Sequence, residues 1–168
     1  HAQLEQRQQS AQLAEPVKEA KETVKEEPSS EVQKIITEGK AYIEQIRRSN
    51  QAISGEEMTA KITRMEFITQ KIFSRVKQQP ELVGELHKFM GYYLPTTVKL
   101  LSAYEELDAQ SIQGANIISS KKEIEGTLDT INQAFEKLLD SFFQDTAWDI
   151  SSDISVLQTM LAQEGLTG

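Results

Sequence analysis

The run SSKKEIEGTLDTINQAFEKLLDSFFQDTAWDISSDISVLQTMLAQEGL, Ser119 to Leu166, decides the fold. Its apolar residues Ile124, Leu128, Ile131, Phe135, Leu138 and Phe142 alternate four and three apart, the spacing that keeps one helical seam facing a partner helix. The seam resumes at Ile150, Ile154, Leu157 and Leu161 after a shift that Thr146 bridges when one extra four-residue step is inserted, the form of a stutter. No proline interrupts the run. It reads as one helix from about Ser120 to Glu164, roughly 65 Å long at the α-helical rise. Shorter helices must pack along a helix of that length.

The upstream chain supplies them. From Glu81 to about Ala109, the residues Leu86, Met90, Tyr93, Thr97, Leu100, Tyr104 and Leu107 form one seam, and Leu82, Phe89, Leu94 and Leu101 widen it. A face that wide places this helix in the middle of a bundle. Pro95 removes a backbone donor inside the pattern, which predicts a kink near Gly91 to Leu94 or a break into two helices. Gln110 to Asn116, with Gly114, makes the turn into the long helix. The helix before is capped by Ser54, with Glu57 completing a capping box. Its inward residues are Met58, Ile62, Met65, Ile68, Ile72 and Val76, and Pro80 closes it. The first core helix starts at Ser29 or Ser30 and runs to about Ile53 on Val32, Ile35 or Ile36, Gly39, Tyr42 or Ile43, Ile46 and Ile53. Gly39 costs about 1 kcal/mol of helix propensity and reads as a point of close approach.

Residues 1–30 are polar, with Pro16 and Pro28 and only a weak stripe of Leu13, Val17, Ala20 and Val24. They read as a linker or tether, helical in part, with a docking tail as the alternative. His1 in place of Met reads as a processed or trimmed start. The expected fold is all-α: an elongated antiparallel bundle of about four helices over 31–168, with the long C-terminal helix as its spine.

Composition narrows the function. A length of 168 residues with 38% hydrophobic content fits one domain, and no run approaches the roughly 18 apolar residues of a membrane helix. The chain reads as soluble. Cysteine is absent, so disulfides and thiolate chemistry are excluded. A net charge of −8 argues against nucleic acid as a partner. The charge is unevenly placed: nine bases against six acids from Glu31 to Gln79, and three against nine from Ser119 onward. The first two core helices, with their positive surplus, and the long negative helix are therefore expected to attract each other, although each exposed pair is worth only about 0–1 kcal/mol.

Three groups of residues carry candidate chemistry. Asp145, Asp149 and Asp153 recur every four residues on one helical face, with Trp148 and Ser152 near the same edge. Stacked carboxylates repel, and either basic side chains or a hard cation, Mg²⁺ or Ca²⁺, relieves the repulsion. The stripe precedes core positions by one residue, so it is expected to border a groove between helices. Structural acidic edge, cation or partner site, and catalysis all stay open; no other cofactor is expected. Tyr92, Tyr93, Thr96 and Thr97 surround the kink, as a small polar pocket or as core rings with Thr97 bonded back to its own helix. Lys61, Arg64, Lys71 and Arg75 form a basic strip, read as a solvated face, a dock for the acidic spine, or a contact for an anionic membrane surface. His87, with no Cys or His nearby, reads as an ordinary surface residue. Phosphate loop, nucleophile elbow, HExxH and serine triad patterns are absent.

Two segments resemble a known family. They are Tyr92-Tyr-Leu-Pro-Thr-Thr-Val-Lys-Leu-Leu101 with Tyr104, and the later runs Thr127 to Ile131, Ala134-Phe-Glu, Leu138-Leu-Asp140 and Asp149 to Ile154 through Leu166. Together they resemble the XpaC-type proteins, the 5-bromo-4-chloroindolyl phosphate hydrolysis family, over roughly residues 85 to 166; the residues before Glu81 match in helical character alone. The resemblance implies a bacterial protein with N-terminal membrane-spanning segments in its full-length form, placed at the cytoplasmic side of the membrane, and a protein partner of TelA-like type. A chain trimmed of its anchor is the expectation that joins this to the polar start. The resemblance carries over no catalytic residue. The leading expectation is a non-enzymatic helical interaction module, and the alternative is a metal-dependent phosphate-ester hydrolase built on Asp145, Asp149 and Asp153.

Overall fold

The computed structural model describes residues 30–167; the tether expected over 1–30 lies almost wholly outside them. All regular structure among the described residues is helical: α1 over 30–52, α2 Glu56–Gln78, a 3₁₀ segment Pro80–Leu86, a π-helical turn Phe89–Tyr93, α3 Leu94–Asp108, α4 Ala115–Ser141 and α5 Gln144–Gln163. Helices α1 and α2 run antiparallel, and so do α3 and α4. Arg47 meets Glu66 at 2.8 Å and Asn50 meets Thr63 at 3.0 Å across α1 and α2, and Tyr104 donates to Glu125 at 2.7 Å across α3 and α4. The bundle therefore runs up and down, with α2 and α4 parallel and in contact.

The expected inward residues of α2 are all buried, joined by Thr69 and Phe73. With α1, the 3₁₀ segment and α4 packed around it, α2 is the centre of the bundle. That role was expected of the third helix, and the π-turn explains the exchange. Pro95 has no N–H to give the Gly91 carbonyl, and Leu94 N–H reaches back five residues to Phe89 O instead. One extra residue enters the turn. The seam jumps from Leu86 and Phe89 to Leu94, Thr97, Val98, Leu101 and Tyr104; Tyr93 leaves it, and Met90 stays half-buried against the core. The kink expected at Gly91 to Leu94 is this widened turn.

Two local readings change. Ser54 does not cap α2; the N-cap is Gly55, at φ 103° where an L side chain is strained, and no side chain caps the helix. Ser54 instead donates its N–H and hydroxyl to Asp108 Oδ2, both at 3.1 Å. The spine is in two pieces. Phe142 and Phe143 N–H bond three residues back, to Leu139 O and Asp140 O at 3.1 and 3.0 Å, which tightens the backbone there. Neighbouring residues on an α-helix diverge by about 100°, yet Phe142 is buried in the core and Phe143 lies beneath the Arg75 guanidinium, 4.1 Å from its ring centre. The turn serves both rings. Beyond it no residue of α5 is fully buried: of the seam expected to be packed, Ile150, Ile154 and Leu157 stand in solvent, and Thr146 and Leu161 are half-buried.

A line of contacts crosses the whole bundle. Gly39 of α1 faces the edge of Phe73, Phe73 lies 6.0 Å from Phe89, and Phe89 meets Phe135 of α4 edge-on at 4.9 Å. A Cβ at position 39 would fall 2.6 Å from the Phe73 ring carbons, so the close approach expected of Gly39 is present. Gly39→Ala gains helix propensity but overpacks this line, for a net loss of about 1–2 kcal/mol. Thermal denaturation should show a melting temperature lower by roughly 3–7 °C, with most of the loss recovered when Phe73→Leu is added.

Candidate functional site

The kink residues come together. Tyr92, Tyr93, Thr96 and Thr97 form one wall of a groove of about 610 Å³ between α3 and α4, faced by Thr127, Thr130, Ile131, Ala134 and Leu138, with Phe89 and Phe135 among its lining. Among the described residues its one charged lining residue is Lys137. Thr97 donates to Tyr93 O at 2.7 Å, as its helical setting suggested. The rings are not core: Tyr92 is 65% and Tyr93 50% exposed, set edge to face 5.8 Å apart. The π-turn puts them there, because the residue it adds rotates both out of the seam.

The basic strip splits. Lys61 donates to Asp129 at 3.0 Å and to the Glu125 carbonyl at 3.1 Å, and Arg64 pairs with Glu136. Arg75 lies over Phe143 and donates to Thr146 Oγ1 at 3.3 Å. Lys71 sits 5.2 Å from the Phe67 ring of its own helix. Three of the four bases thus dock onto α4 and the start of α5, the second of the readings open from sequence. They are engaged within the chain.

Asp145, Asp149 and Asp153 follow one another along α5, all exposed, with Trp148 and Ser152 exposed beside them. Among the described residues no second element borders them, contrary to the groove expected there, because α2 ends at Gln78. Among the described residues no three His, Asp or Glu side chains converge on a metal position; the row offers oxygens from one helix only. His87 is exposed, as expected.

Sequence reading missed two polar features. Asn132 interrupts the α4 seam, 4% exposed, donating to Lys61 O at 3.0 Å with its own Oδ1 unpartnered. Its place four residues after Leu128 and three before Phe135 is a seam position, but a polar side chain beside the apolar Ile131 reads as surface. The other is a cluster joining the α1–α2 loop to α3 and α4. Asp108 accepts from Ser54 and, at 3.0 Å, from Lys121, whose ammonium lies 5.5 Å from the Tyr104 ring. Burial raises the Tyr104 hydroxyl above its ordinary pKa, and the Glu125 carboxylate it donates to raises it further. Burial also pushes the Asp108 carboxyl up. The Ser54 N–H, the Lys121 ammonium and the Ser54 hydroxyl outweigh it and hold Asp108 below the usual carboxylate value.

No described helix is long and apolar enough to cross a membrane. A family model described as 5-bromo-4-chloroindolyl phosphate hydrolysis protein matches residues 4–157, further toward the N-terminus than the two sequence segments reach, and ending within α5. No curated protein and no solved structure matches the chain.

A depressed folded pKa at Asp108 stabilises the fold above the unfolded value of about 3.9 and loses that stabilisation as pH falls through the lower folded value. Denaturant titrations from pH 6 down to pH 2.5 should therefore show Asp108→Asn less stable than wild type by about 1–3 kcal/mol at pH 6, with the gap closing in the acid range. A gap that stays constant to pH 2.5 would count against this carboxylate.

Proposed function

The chain belongs to the 5-bromo-4-chloroindolyl phosphate hydrolysis protein family, and within it we propose a non-enzymatic protein-interaction module that docks a partner through α5. One observation carries this reading. Across 20 residues α5 buries nothing, although Ile150, Ile154 and Leu157 continue the heptad seam and are 53, 48 and 56% exposed. In proteins most helical stability comes from packing an apolar face, and apolar residues grouped on one face mark an interaction surface more than scattered ones do. The bundle ending at Phe142 supplies a rigid base, and Arg75 holds the first turn of α5 to it.

The hydrolase reading is favoured by the description of the family. On this chain it would rest on Asp145, Asp149 and Asp153 with a divalent cation bridging them. It requires turnover of an indolyl or nitrophenyl phosphate with added Mg²⁺, Ca²⁺ or another divalent metal, abolished by Asp149→Asn.

The double variant Ile154→Asp with Leu157→Asp separates the readings. Because α5 buries nothing, its melting temperature should match wild type within the roughly 0.5 kcal/mol of ordinary surface changes, while proteins cross-linked to the wild-type chain in cells are lost. Metal-dependent turnover that vanishes in Asp149→Asn would overturn the non-enzymatic reading. Unfolding of the double variant would show the face to be core.

A further inference from the structure

Resting on the interaction reading, we propose that the occupant of α5 is a basic amphipathic helix of another protein, seated in line with α2. Continuity with an interface already built is the first argument. α2 packs along α4 with its bases on α4's acids, Lys61 on Asp129 and Arg64 on Glu136, and its last contact on this side is Arg75 with Thr146. Thr146 is half-buried for that reason. Ile150, Ile154 and Leu157 lie on the same helical face as Thr146, one to three turns on. α2 stops at Gln78 and the chain turns away at Pro80. The surface that receives α2 therefore runs on past the end of α2 with no described residue packed upon it.

Charge states what the missing helix carries. From Gln144 to Gln163, α5 has three aspartates and no base. An anionic leaflet repels such a helix, and a second copy of α5 would bring acids and no compensating cation. A helix with Lys or Arg beside its apolar stripe neutralises the row, as α2 does for α4. The side also differs. The paired acids of α4, Asp129 and Glu136, follow the buried residues Leu128 and Phe135 by one position, whereas Asp145, Asp149 and Asp153 precede Thr146, Ile150 and Ile154 by one. The acid edge crosses the seam at the Phe142–Phe143 turn. An antiparallel partner meets it with bases one residue before each apolar position, and a parallel partner with bases one residue after.

Calorimetric titration of the full chain with two synthetic helical peptides tests this. Both carry Leu at four-three spacing, and the residue before each Leu is Lys in one and Glu in the other. The Lys peptide should bind about tenfold or more tighter than its Glu twin at low salt, and the advantage should shrink in 0.5 M NaCl. Replacing Asp145, Asp149 and Asp153 together by Asn should remove most of the preference, and Ile154→Asp should remove binding. Equal affinity for both peptides, binding of neither, or an unchanged preference in the triple Asn variant overturns the inference. So does a dimer in sedimentation that Ile154→Asp dissociates, since a second copy then covers the face. If the peptides fail while the Ile154→Asp, Leu157→Asp variant still loses its cellular cross-links, the interaction reading stands and the basic helix alone is rejected.

Discussion

Phe89 is the residue on which the described helices converge. Its ring lies between Phe73 of α2 and Phe135 of α4, and Phe73 in turn fills the gap opposite Gly39 of α1. Three rings and one missing side chain thus tie four segments together. Aromatic pairs of this kind add about 0.5–1.5 kcal/mol each beyond the area they bury, but the geometric consequence is larger. Phe89 opens the π-turn, so the position at which the third helix changes phase is also the position locked between α2 and α4. Pro95 makes the widened turn necessary, and Phe89 fixes where it sits.

Charge has a narrower role. The bases of α2 face the acids of α4, as the uneven distribution along the chain foretold, yet the pairs are partly or wholly in solvent and individually weak. What they do is discriminate. A shift of α2 along α4 by one turn would separate Lys61 from Asp129 and Arg64 from Glu136 together. Asn132 discriminates in the same way: its amide finds Lys61 O while its own oxygen has no partner. A buried polar group that is satisfied in one register only lowers stability and narrows the alternatives.

The parts of this molecule legible in sequence are those where a regular helix repeats its own period. The α2 seam and the all-helical class follow from four-three spacing, and the close approach at Gly39 from a glycine at a seam position. Where the backbone departs from 3.6 residues per turn the reading slips by one residue. Spacing carries the third-helix seam through Tyr93, which stands exposed because a π-turn adds a residue that spacing does not reveal; Leu86, Thr97 and Tyr104 of the same seam are buried, and a pocket beside the tyrosines is one of the two readings open from sequence. At Phe142 and Phe143 the phase change was visible, but whether the helix bends through it or stops depends on Arg75, 67 residues upstream of Phe142. The Asp108 cluster joins residues far apart in the chain that share no pattern. Of the candidate site, the aspartate row and the apolar face of α5 were both legible, and the absence of an opposing helix was not, because it depends on where α2 ends.

That α5 buries nothing has a consequence for how the protein can change over time. Substitutions in the core of α2 are filtered first by whether the chain folds, and any effect on function is seen only through that filter. On α5 the filter is missing. Beyond Thr146, which Arg75 holds, its exposed positions can vary in size, charge and polarity while the bundle beneath stays the same, so the helix can drift toward a new partner by single steps that each leave a folded protein. The Phe142–Phe143 turn is then the border between a part of the chain under structural selection and a part free to follow whatever it binds.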